Sequence, residues 1–85
     1  MQLPEGFSDL QSLADSFAIS DDLKREERLE TASPSDLRRL VDRVWPRMTE
    51  INAYLDEHDD EPACLLAALA EAACEVQIEI GSPTA

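Results

Sequence analysis

PACLLAALAEAACEVQIEI, residues Pro62 to Ile80, has little polar surface to offer water. At helical spacing Leu66, Leu69, Ala73, Val76 and Ile80 share one stripe, and Ala63, Ala67, Ala70, Cys74 and Ile78 form a second stripe further round. Only Glu71, Glu75, Glu79 and the small Ala68 interrupt them. A helix apolar over most of its girth is normally buried on two sides, which predicts a place at the centre of a bundle or across a homodimer interface. Val76-Gln77-Ile78-Glu79-Ile80 also alternates with period two, as a short strand would. A lone strand has no pairing partner elsewhere in the sequence, so helix is favoured over 62–80.

Upstream, Asp59-Asp60-Glu61-Pro62 supplies an acidic first turn and an early proline for this helix, and Gly81 and Pro83 supply its stop. Ser33-Pro34-Ser35-Asp36 is the clearest start signal in the chain: an N-cap serine, proline at the first helical position and an acid facing the positive end of the dipole. From there Leu37, Val41, Val44, Met48, Ile51 and Leu55 keep a heptad seam, predicting one long helix over 34–58. Pro46 interrupts it by removing the hydrogen bond to the Asp42 carbonyl, at a cost of about 3 kcal/mol. Because the seam keeps its phase across the proline, a kinked helix is expected rather than two separate ones.

Two weaker helices precede it. Leu23 and Leu29 are the only large apolar residues in 21–31, which predicts a mostly solvated helix begun by Ser20, Asp21 and Asp22. Over 8–18, Ser8 with Gln11 has the spacing of a capping box, and Phe7, Leu10, Leu13, Ala14 and Phe17 share a face. The expected fold is therefore all-α: a small three- or four-helix bundle with a proline-kinked long helix, as a monomer or a homodimer. The 85 residues are expected to form one acidic domain.

Nineteen acidic against seven basic residues give a net charge of −12, which opposes nucleic acid or anionic lipid as a partner. No apolar run reaches the roughly 20 residues that span a bilayer. The amino-terminal MQLPEGFSDL lacks the positive and apolar regions of a secretory signal, so a cytoplasmic address is expected. Cys64 and Cys74, ten positions apart in one helix, are separated by roughly 15 Å of rise and are expected to be free thiols.

Chemistry has little foothold in this sequence. His58 lies near the end of the long helix, where a positive charge would complement the dipole. Cys64 and Cys74 read as small apolar fillers, and Ser8, Ser20, Ser33 and Ser35 are explained by capping. The acidic run Asp56 to Glu61 has no glycine for a calcium loop. No enzyme, metal site or cofactor is expected.

Charge distribution carries more. All basic residues lie between Lys24 and Arg47, with Arg39, Arg43 and Arg47 in an i, i+4 row; beyond Arg47 only acidic residues and His58 follow. That points to a protein-interaction module for a basic partner, or else to a structural homo-oligomer. The candidate contact residues are Trp45, Ala67, Cys74 and Ile78, with Glu71 and Glu75 beside them. Trp45 lies off the seam and is weighed as core edge ahead of exposed anchor.

Overall fold

The computed structural model describes residues 2–79, and all of their regular structure is helical. A 3-10 segment, Glu5–Leu10, runs into α1 (Gln11–Ser16). Then come α2 (Asp22–Thr31), α3 (Pro34–Val44), a 3-10 turn (Trp45–Arg47), α4 (Met48–Glu57) and α5 (Glu61–Glu79). With α3, the turn and α4 taken as one proline-broken helix, this is a four-helix all-α bundle. Because α5 is helical through Glu79, Val76 to Glu79 do not form a strand. Ile80, Gly81 and Pro83 lie outside the described residues.

Three helix starts follow from local chemistry. The Asp21 carboxylate accepts from the Lys24 amide at 3.1 Å, Ser33 Oγ from the Asp36 amide at 3.3 Å, and Asp60 Oδ1 from the Ala63 amide at 3.1 Å. Each satisfies an amide that the first turn leaves without a helical partner. The expected Ser8 cap is not formed. The chain turns helical earlier, after Pro4, whose carbonyl accepts from the Phe7 amide at 2.9 Å. Phe7 then breaks regularity at φ −124°, ψ 20°. Gln11 still reaches back, but its Oε1 accepts from the Leu3 amide at 2.7 Å, so it ties down the amino-terminal strand of chain instead of Ser8. Between α1 and α2 the chain reverses through Ala18 at φ 47°, a left-handed conformation unusual for a residue with a Cβ.

The interruption at Pro46 takes the form of the 3-10 turn, with Arg47 leaving helical geometry at φ −99°, ψ 3°. The seam survives it. Val41, Val44 and Ile51 are buried, and Leu37, Met48 and Leu55 pack against the core. Leu40, outside the seam, is also fully buried, because a helix facing a globular core buries a wider band than a coiled-coil seam.

Both halves of the broken helix lie against α5. On α5 the first stripe is buried as expected at Leu66, Leu69, Ala73 and Val76, together with Leu65 and Ala72. The second stripe is not enclosed along its length. Ala63 and Ala70 are buried, Ala67 and Cys74 half-buried, and Ile78 is 78% exposed. At 100° per residue the buried arc is centred between Leu69 and Ala73, and Ile78 lies about 150° from that centre. α2 has no buried residue: Leu29 touches the core while Leu23 is exposed.

Arg47 ties the amino-terminal segment to the break. Its guanidinium bonds Asp9 at 2.8 Å, Glu50 at 3.1 Å and the Gly6 carbonyl at 2.9 Å, and lies 4.9 Å from the centre of the Phe7 ring. Bonds to Glu50 and then Asp9 raise its pKa, so it remains charged.

Two stability outcomes follow. Arg47→Met keeps an apolar stem but loses these bonds, and should cost about 1–3 kcal/mol in urea unfolding, less at high salt. Leu66→Ala should cost about 2–5 kcal/mol and Leu23→Ala under about 0.5 kcal/mol, so equal losses would contradict the packing described.

Candidate functional site

A short connection joins α4 to α5, so the two pack side by side as a helical hairpin. Between them a hollow of about 640 Å³ opens to the surface. On the α4 side it is walled by Met48, Asn52 and Leu55, which recur at helical spacing. Its α5 side is made by Ala67, Ala70, Glu71, Cys74, Glu75 and Ile78, and Arg25 of α2 closes one edge. The charge of Arg25 is already engaged, since its guanidinium donates to the Ile19 carbonyl at 2.9 Å and pairs with Asp22 at 3.0 Å.

Five residues singled out from the sequence, Ala67, Glu71, Cys74, Glu75 and Ile78, are therefore brought together in one hollow. Trp45 is not part of it. Val44 takes the inward position with no exposed surface, and Trp45, one residue on at the proline turn, is 48% exposed. The expectation of a core-edge tryptophan gives way to an outward one. The α4 wall is not evident from the sequence, where Met48 and Leu55 belong to the heptad seam; in the structure both are only partly buried and also line the hollow.

A second, acidic depression of about 530 Å³ lies between α2 and α5, with Glu26, Glu30, Glu75 and Glu79 around Leu29 and Leu37. Glu75 borders both hollows. A smaller space of about 250 Å³ beside α1 and α2 is lined by a mixture of Phe17, Leu13, Arg28, Asp36 and Arg39. There Arg28 donates to the Ser16 carbonyl at 2.9 Å, which makes it a structural seam between helices.

Residues with chemical potential are dispersed. His58 follows the last turn of α4, with its ring stacked on Tyr54 at a centroid distance of 3.9 Å and its Nδ1 3.1 Å from the Tyr54 carbonyl oxygen. A carbonyl only accepts, so that contact places the proton on Nδ1. Cys64 is exposed and does not fill the core as expected, since it sits on the solvent side of the first turn of α5; Cys74 is half-buried, and both thiols are free. Among the described residues no group of three or more His, Cys, Asp or Glu is arranged to hold a metal, and no helix is long and apolar enough to cross a membrane.

Compared with known protein families, with curated proteins and with solved structures, the chain matches none.

Tyr54 lies between Phe7, edge-on at 5.7 Å, and His58. Desolvation, with Asp60 adding to it, raises its hydroxyl above the ordinary value of 10.0. A tyrosine is neutral while protonated, so its contribution is complete below pH 10 and is lost as pH rises through the higher folded value. As this is the chain's only tyrosine, its absorbance titration should show a midpoint above 10 in the folded protein and near 10 in urea. Coincident midpoints would mean a fully solvated ring.

Proposed function

We propose that this chain is a non-enzymatic protein-binding module that docks a basic partner through the hollow between α4 and α5. The observation that carries this is Ile78. It is 78% exposed, on the face of α5 turned away from the core, at the end of an apolar hollow and beside the exposed Glu71 and Glu75. Apolar surface rimmed by charge is how docking sites on soluble proteins are commonly built. The net charge of −12 would steer a basic partner toward it and repel phosphate-bearing ones. Small acidic immunity proteins and inhibitors of basic proteins offer a parallel, of size and charge only. Free thiols, one of them exposed, suit a reducing compartment such as the cytoplasm.

The same exposed isoleucine would also suit a second copy of the chain, giving a structural homo-oligomer. Charge weighs against that, because each copy brings −12.

Affinity capture with three forms of the protein tests the proposal. Wild type and Leu23→Asp, which alters an exposed leucine outside the hollow, should retain a basic protein that Ile78→Asp does not retain. Retention should also weaken as salt rises. Equal retention by all three would put binding outside the hollow and overturn the proposal, and a mass by light scattering of twice the monomer with no basic partner would overturn it in favour of the homo-oligomer.

A further inference from the structure

The outer face of α5 carries two parallel lines. Ala67, Cys74 and Ile78 form an apolar line that continues across the hollow to Met48 and Leu55 of α4. Glu71, Glu75 and Glu79 form an acidic line at i, i+4 spacing, all exposed. Like charges at that spacing destabilise a helix, and α5 contains no lysine or arginine to offset them. Glu26 and Glu30 of α2 lie across from Glu75 and Glu79, so carboxylates face carboxylates there, while Arg25 at the edge of the hollow is already paired with Asp22.

Resting on the docking role proposed above, we infer that the occupant of this hollow is an amphipathic helix of the partner, with apolar residues on one face and lysines or arginines along one flank. Its apolar face lies on Met48, Leu55, Ala67, Cys74 and Ile78, and its basic flank faces Glu71, Glu75 and Glu79. The length fits: the α5 residues that line the hollow, from Ala67 to Ile78, cover about 16 Å of helical rise, the length of three helical turns. The small side chains of the half-buried Ala67 and Cys74 let a third backbone approach closely, and apolar residues recurring every three or four positions would meet them in register. The described residues contain no strand whose edge an extended peptide would join. A second copy is a poorer occupant, since a two-fold contact would set the acidic line of one molecule close to that of the other.

The probe is a labelled peptide of about 16 residues, roughly 24 Å as a helix, with leucines on one face and lysines on an adjacent flank. A shuffled isomer of the same composition and charge spreads the leucines around the helix. By fluorescence anisotropy the amphipathic isomer should bind the intact protein at least about tenfold more tightly than the shuffled one. Ile78→Lys should abolish that preference, and Glu75→Gln should weaken binding at low salt. Circular dichroism verifies that each variant is folded, as substitution at exposed positions should allow. Equal binding of the isomers, or an undiminished preference in folded Ile78→Lys, would overturn the inference. If Ile78-dependent capture of a basic protein persists while the isomers bind equally, the docking role stands and the helical occupant is rejected.

Discussion

Everything else in this fold depends on how α5 divides its surface. Half of its circumference, from Ala72 and Leu65 round to Ala70 and Ala63, is buried. The leucines and Val76 provide apolar area, and the alanines let α3 and α4 come close. Leu10 and Ile19 from the amino-terminal part, Leu40 and Val44 from α3 and Ile51 from α4 are closed off in the same core. α3 and α4 occupy one side of α5, and the face that carries Glu71, Glu75 and Ile78 is left exposed.

Pro46 determines how that cover is laid. Without an N–H donor at position 46 the helix passes through a tighter turn, yet hydrophobic phase is conserved, so α3 and α4 both reach α5 with the same face. The turn also changes what neighbouring residues do. Trp45 faces outward, whereas Arg47 faces Asp9, Gly6 and Phe7 and anchors the amino-terminal segment. A residue placed in a row of surface arginines by its spacing thus becomes a tertiary clamp, through partners 38 and 41 positions away.

Features that depend on a few adjacent residues were legible in the sequence. The Ser33 cap with Pro34, the acidic opening of α5 and the solvated character of α2 follow from local chemistry alone. Features that depend on distant partners were not. Ser8 and Gln11 have capping spacing, but Pro4 starts the helix earlier and Leu3 takes the glutamine. The heptad seam found Val41 and Ile51 but missed Leu40, because packing against a core widens the buried band. For the candidate site, periodicity grouped Ala67, Cys74 and Ile78 correctly, since one helix fixes their spacing. It gave no means of telling that Ala63 and Ala70 on the same stripe are sealed while Ile78 is open, for that depends on where α4 lies. The scarcity of aromatics in this chain favours Trp45 as core edge, but scarcity says nothing about direction, and the side chain is exposed.

The footing of α2 bears on all this. It is held by its Arg25 and Arg28 bonds to the carbonyls of Ile19 and Ser16 and by Leu29, with no buried side chain of its own. Such a segment forms a cooperative unit whose opening takes far less free energy than unfolding the whole molecule, so its amide protons should exchange with solvent well ahead of those of α5. Because Arg25 forms one edge of the α4–α5 hollow, each opening of α2 would also widen that hollow. Its width is then an equilibrium property, adjustable by substitutions in a helix that contributes little to the core.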